Sequence, residues 1–360
     1  MSRSDRLILV AGGAGFIGSH LCRILLEAGD QVVCVDNLQT SRSSNLSMLT
    51  KYENFEFVQA DITAPLPSTI TSRTRQFDRI YNLACAASPP RYQADPEHTM
   101  LTSVVGTDQL LRLAEASGAR FLLTSTSEVY GDPEAHPQRE DYRGNVSCTG
   151  PRACYDEGKR AAETLAFDFA RSGRAEVRVA RIFNTYGPNM DPDDGRVVSN
   201  VICQALSGNP ITIYGDGSQT RSFCYVTDTA EALRRLMEVE EIGLEPVNIG
   251  NPHEMTVREL VDLVVEMLGR PAQVRNSPLP EDDPRRRRPD IARAKALLDW
   301  EPSTPLEDGI RATMNWFAHE IGEDPRVTAT VDALDRHRRQ RGNVTARVLR
   351  APEKTHVAIG

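Results

Sequence analysis

A chain of 360 residues with 40% hydrophobic and 26% charged content has the make-up of a soluble globular protein, with room for one large α/β body and a smaller lobe. No apolar run nears the roughly 18–20 residues of a membrane span, and a formal net charge of −8 argues against a nucleic-acid-binding surface. Seven cysteines, odd in number, scattered and without a CxxC, suit free thiols in a reducing compartment, and no metal site is expected.

In chain order, short apolar runs at residues 7–10, 31–35, 55–60, 79–83, 121–124 and 177–180 alternate with helical patterns around 17–28, 102–117 and 156–171. Such alternation builds βαβ units, and runs this apolar are covered on both faces. The expectation is α/β: a Rossmann-type doubly wound parallel sheet. After Arg181 the chain turns rich in Pro, Gly and Asn, with helices expected near 198–207 and 229–239. Thr256-Val257-Arg258-Glu259 is a capping box opening a helix that carries Leu260, Val261, Val264, Val265 and Leu268 on one side. A last helix is expected over 306–317. From about Arg326 the chain is polar and Arg-rich with little period, which reads as a mobile tail. The expected division is a first body over 1–181, a C-terminal α/β substrate lobe over 182–325 with some segments interleaved, and the tail 326–360.

Gly12-Gly13-Ala14-Gly15-Phe16-Ile17-Gly18 follows the first strand and opens the first helix. Glycines at this spacing let the backbone turn tightly and approach a pyrophosphate at the helix N-terminus. The next strand runs to Asp36, near the ~20-residue offset of a ribose-binding acid. A carboxylate there accepts from the ribose hydroxyls of NAD and repels a 2′-phosphate, so NAD is expected over NADP. Gly12, Gly15, Phe16, Ile17, Gly18 and Asp36 form the cofactor set, with Asn37 and Thr40 just beyond. Asp61 and Ile62 are placed to meet the adenine, and Leu83 and Ala84 to pack near the cofactor's middle. Thr102 and Thr124 complete the set.

Tyr155 and Lys159 stand one helical turn apart on one face. An ammonium at that distance favours the phenolate, so Tyr155 can take a hydroxyl proton while hydride leaves to a nicotinamide. With the glycine turn before it and Thr124-Ser125-Thr126-Ser127-Glu128-Val129-Tyr130-Gly131-Asp132-Pro133 between, the chain resembles the extended short-chain dehydrogenases/reductases acting on nucleotide sugars. Within them it is most similar to the UDP-glucuronate decarboxylases, also called UDP-xylose synthases. The resemblance spans about residues 7–317. It rests on Ala87-Ser88-Pro89-Pro90, on residues 124–133 and 150–160, on Arg181-Ile182-Phe183-Asn184-Thr185-Tyr186-Gly187-Pro188 and on residues 194–200.

The resemblance implies oxidation of the sugar at carbon 4. The fate of the resulting ketone depends on the residues after Thr124. In the similar 4,6-dehydratases an Asp-Glu pair protonates the leaving hydroxyl and removes the carbon-5 proton, whereas here the pair is Ser127-Glu128. A 4-keto sugar bearing a carboxylate on carbon 5 is a β-keto acid, which loses carbon dioxide once electrons flow into the carbonyl. The protein has only to align the scissile bond, stabilise the enolate and return a proton to carbon 5. NADH then reduces carbon 4, so UDP-glucuronate becomes UDP-xylose without net redox change. The alternatives are a 4,6-dehydratase, a 4-epimerase, a decarboxylase releasing the 4-keto pentose, or a catalytically silent NAD-binding sensor or scaffold.

By resemblance, Thr126 and Ser127 hydrogen-bond near the reacting hydroxyls and Glu128 orients the sugar or a water, its service as a base being open. The run Arg285-Arg286-Arg287-Arg288 lies between acids and prolines, a poor backbone-tracking patch for nucleic acid. The family's functional arginine matches Arg287, for the diphosphate or the carbon-5 proton. Asn184, Tyr214 and Arg221 match positions that hold the nucleotide diphosphate and sugar, and Arg196 and Asn200 lie on the segment capping the nucleotide. Ser88, Arg91 and Tyr92 sit on a loop expected to reach the sugar carboxylate. Cys85 and Arg91 stand where the family carries Ser and Asn. A homodimer through the helices beginning near Thr102 and Asp156 is implied. A first strand at Leu7 favours a cytoplasmic enzyme with no membrane association.

Overall fold

The computed structural model describes residues 6–73, 76–269, 271–279 and 286–322; the expected tail and Arg285 lie outside these. The elements that position the cleft are β1 (Leu7–Ala11), α1 (Phe16–Glu27), β2 (Gln31–Asp36), β3 (Phe55–Gln59), β4 (Arg79–Asn82), α2 (Thr107–Ser117), β5 (Arg120–Thr126), α3 (Ala153–Arg171) and β6 (Val177–Ile182). After them come α4 (Val197–Leu206), α5 (Val226–Glu238), β7 (Val247–Ile249), α6 (Val257–Leu268) and α7 (Leu306–Glu320).

The apolar runs pair in parallel, as Val10 does with Cys34 on one side and Tyr81 on the other. The sheet order is β7-β6-β5-β4-β1-β2-β3. Its order reverses between β1 and β4, and such a reversal opens a crevice beyond the carboxyl ends of the strands. The glycine turn, Asp36, Leu83 and Thr126 all lie at those ends. Both faces are covered. Leu21 and Leu25 of α1 and Leu233 and Leu236 of α5 pack on one. Leu110 of α2 and Ala162 and Ala166 of α3 pack on the other.

A separate core joins Val201 and Ile202 of α4, Leu260 and Val264 of α6, and Ile310 and Phe317 of α7. In contrast, α5 and β7 pack with the sheet core, β7 pairing in parallel with β6. The capping box forms as expected: the Thr256 side chain accepts from the Glu259 N–H, and Glu259 reaches back to the Thr256 backbone.

One expected helix differs. Residues 102–117 are not one helix: a helix Pro96–Leu101 runs into a widened π turn Thr102–Gly106 before α2 begins. The Thr102 hydroxyl donates to the His98 carbonyl at 2.8 Å, a back-bond that disturbs the regular ladder.

Candidate active site

A cleft of about 650 Å³ lies at the strand reversal, and every residue anticipated from the sequence as catalytic, cofactor-binding or substrate-binding lines it. At its floor, Gly12 has φ +77° and leaves no room for a side chain, since a Cβ would sit 2.7 Å from the Leu83 carbonyl carbon. A Cβ on Gly18 would lie 2.1 Å from the Gly12 carbonyl oxygen. The N-terminus of α1 carries no side-chain cap and no acidic residue in its first turn. Its first N–H groups have no helical partner by construction, and Phe16, Ile17 and Gly18 line the cleft there.

The Asp36 carboxylate accepts from Ala14 N at 3.1 Å, from Leu38 N at 2.8 Å and from the Ser41 hydroxyl at 3.0 Å. Two carboxylate oxygens have about four acceptor positions, so capacity remains for a ribose hydroxyl. Burial raises the Asp36 carboxyl, with these donors opposing. Asp61 accepts from Asn37, Thr63 and His98, which together outweigh burial and hold it below the usual carboxylate range. The cradle, the uncapped helix and the acid at the end of β2 fit a dinucleotide such as NAD.

At the other end, α3 presents Tyr155 and Lys159. The Lys159 ammonium donates to the Thr124 carbonyl at 2.9 Å and stands 6.0 Å from the Tyr155 ring centre. Tyr92 stacks flat on Tyr155, ring centres 5.1 Å apart. Burial, then the proximity of Cys85, push the Tyr155 phenol above its ordinary value, against a hydrogen bond from Thr126. Burial also lowers Lys159. Burial thus acts against the charged form of both side chains, while the Thr126 hydroxyl favours the phenolate.

Thr126 ends β5 and its hydroxyl accepts from the Glu128 N–H at 3.2 Å, opening the tight turn Ser127–Tyr130. That turn delivers Glu128 to two guanidinium groups. Arg152, at the N-terminus of α3, donates to Glu128 Oε2 at 2.5 Å, and Arg287 donates to the same oxygen at 3.2 Å. Arg287 also binds the carbonyls of Ser127 and Gly131. It gets there because Arg286–Arg287 pairs in parallel with Thr220–Ser222, Arg287 opposite Arg221. Asp156, on α3, is 6% exposed, and burial and then Glu128 push its carboxyl up to about 7.

Arg91 lines the cleft and donates its guanidinium to Asp191 at 2.7 Å. Arg196 pairs with Asp194 at 2.5 Å, and Asn200 caps the same loop through the Gly195 carbonyl. Tyr214 is 41% exposed at the rim. The Ser88 hydroxyl, the Tyr92 phenol, Arg287 Nε and Asp156 Oδ1 are buried polar atoms with no hydrogen-bond partner among the described residues. Orphans are scarce in folded proteins, and those of Ser88, Tyr92 and Arg287, all lining the cleft, mark a place for a polar ligand. Sequence reasoning missed Arg152, although it lies inside residues 150–160, and missed Arg42, His98 and Asp191. No local motif marks those three; tertiary proximity alone recruits them.

Residues 8–250 match the NAD dependent epimerase/dehydratase family, and the chain belongs to that family. UDP-glucuronic acid decarboxylase 2 of Arabidopsis thaliana is 50% identical over 333 residues, covering 92% of this chain and 73% of the plant protein. UDP-glucuronic acid decarboxylase 1 of Danio rerio is 49% identical over 322 residues, 89% of this chain and 75% of that one. Among solved structures, UDP-glucuronic acid 4-epimerase from Bacillus cereus in complex with UDP-glucuronic acid and NAD superposes with a TM-score of 0.78 at 28% identity, covering 87% and 99% of the two chains.

Proposed function

We propose that the chain is an NAD-dependent decarboxylase that converts UDP-glucuronate to UDP-xylose, redox-neutral overall. The observation that carries this reading is the Glu128 carboxylate sharing one oxygen between Arg152 and Arg287 beside Ser127. Two cations against one anion suit a sugar that brings its own carboxylate. Asp156, held largely protonated below neutral pH, does not cancel them. The side chain next to Glu128 is a serine, so the strong acid that a dehydration would need for its leaving hydroxyl is missing at that position.

Gly12, Gly15, Phe16, Ile17, Gly18, Asp36, Asn37, Thr40, Asp61, Ile62, Leu83, Ala84, Thr102 and Thr124 hold the dinucleotide. Bound NAD supplies the hydride acceptor for carbon 4 and later the hydride donor. Tyr155 takes the proton of the 4-hydroxyl and gives it back, steered by the Thr126 hydroxyl and by Lys159 anchored on the Thr124 carbonyl. The positive charge of an oxidised nicotinamide, when bound, would favour ionisation of the Tyr155 phenol. With carbon 4 a ketone, the bond to the carboxylate breaks, its electron pair enters the carbonyl, and carbon 5 takes a proton from the Arg287 side of the cleft or a water there. Glu128 keeps Arg287 and Arg152 in register. Ser88, Tyr92, Asn184, Arg196, Asn200, Tyr214 and Arg221 serve the nucleotide sugar.

The enzyme acts as a homodimer in the cytoplasm. Leu101 and Val105 support the dimer, being large hydrophobic side chains 40% and 37% exposed, the first just before the π turn and the second within it. Seven free cysteines suit a reducing compartment.

Proton NMR of the protein with UDP-glucuronate and catalytic NAD tests the reading. A pentose anomeric signal of UDP-xylose with no net NADH is expected. An unchanged substrate spectrum would overturn it and return attention to dehydratase and epimerase sugars.

A further inference from the structure

Three chain segments that line the cleft are tied together by one carboxylate. Asp191 Oδ1 accepts from Arg42 at 3.0 Å, and Asp191 Oδ2 accepts from Arg91 at 2.7 Å. Arg42 follows Ser41, whose hydroxyl is bound to Asp36, so it belongs to the ribose end of the cleft. Arg91 sits between Pro90 and Tyr92, and Tyr92 stacks on Tyr155, so it belongs to the sugar end. Asp191 comes from the connection between β6 and α4, and that connection is held down separately: Asn189 donates to Ser19 of α1 at 3.0 Å. Arg42 reaches further, to Glu320 in the last turn of α7.

We propose that the Arg42–Asp191–Arg91 bridge is a latch that retains the dinucleotide in the cleft through a complete turnover, and so determines whether the pentose leaves reduced or as its 4-keto form. This rests on the decarboxylase reading for the product, but not for cofactor retention. Location and charge both support it. The bridge joins the loop behind Asp36 to the loop carrying Tyr92, both of which line the cleft, so it resists the separation of these two segments around a bound dinucleotide. The three side chains are 28%, 20% and 39% exposed, which leaves the bridge partly shielded yet reachable by salt.

The test measures exchange of bound NAD for the fluorescent 1,N6-etheno analogue in purified protein, without sugar. Asp191→Ala removes the shared anion and is expected to speed exchange by roughly tenfold, the rate expected when about 1.4 kcal/mol of restraint is lost. Raising salt from about 0.05 to 0.5 M is expected to speed exchange of the parent several-fold and that of the variant much less, because the variant lacks the bridge that screening weakens. With UDP-glucuronate, NMR is expected to show the 4-keto pentose and free NADH rising in the variant. Parental exchange in Asp191→Ala, or salt-independent exchange in the parent, overturns the latch. Should Asp191→Ala not fold, Arg91→Gln and the salt series on the parent decide. Absence of any sugar turnover in the parent would instead overturn the decarboxylase reading while the exchange measurement stands.

Discussion

Burial favours the neutral form of the Glu128 carboxyl, yet Arg287 and Arg152 outweigh it and bring the group down to about 2. So acidic a carboxylate is a poor base at neutral pH, which leaves it the work of holding two arginines. Glu128→Gln is expected to lower kcat by roughly 10–100-fold through lost positioning, while the kcat–pH curve keeps its shape between about pH 5 and 9. Disappearance of an acidic limb in the variant would show Glu128 titrating during turnover. Asp156 behaves in the opposite sense. Its folded value of about 7 lies above the ~3.9 of an unfolded chain, so the native state holds the proton more tightly. The stability this gives is full at low pH and is lost as pH rises from about 4 through 7. Asp156→Asn abolishes the dependence. Its melting temperature relative to the parent is expected to be higher at pH 8 than at pH 5, by the equivalent of roughly 2–4 kcal/mol. Equal differences at both pH values would rule out a proton held at Asp156.

Elements place these residues through their ends. The strand β5 runs two residues beyond the expected 124, so Thr126 ends it and Ser127 opens the turn that follows, both lining the cleft. The N-terminus of α1 lies where it does because Gly18 permits contact with Gly12. Gly18→Ala forces a Cβ onto a backbone oxygen that cannot yield, and overpacking of this sort costs about 1–3 kcal/mol. NAD affinity, read by equilibrium dialysis, is expected to fall by about 10–100-fold. In the second core, Thr256→Ala removes the reciprocal cap of α6 and is expected to cost about 1 kcal/mol in urea unfolding with NAD affinity unchanged. A coupled loss of NAD binding would mean that the lobe and the cofactor body unfold into one another.

At the scale of the whole molecule, two cores and a cleft between their chain segments divide the labour. The sheet body carries the glycine turn and Asp36, and the lobe, built on α4, α6 and α7, carries Arg196, Asn200 and the strand that brings Arg221 beside Arg287. Leu101 and Val105 remain exposed on the sheet body. Replacing both with Arg is expected to convert a dimer to a monomer in sedimentation velocity, with the far-ultraviolet dichroism retained. A parent that already sediments as a monomer would dismiss that face as an interface.

Local signals were enough for much of this. Strand–glycine–helix succession, Asp36 at its offset, the Tyr155–Lys159 turn and the Thr256 capping box depend on residues within one or two turns of each other, and each stands where its spacing required. Arg287 and Glu128 were both legible through resemblance, but their sharing of one oxygen with Arg152 was not. The tertiary structure alone decided what depends on groups distant in sequence. The Arg152–Glu128–Arg287 cluster spans 159 positions between its acid and its far arginine, and the Asp191 bridge spans 149 and 100. It also decided that burial raises the carboxyl of Asp156 and the phenol of Tyr155, because desolvation is a property of what packs around a group and has no local pattern in the chain.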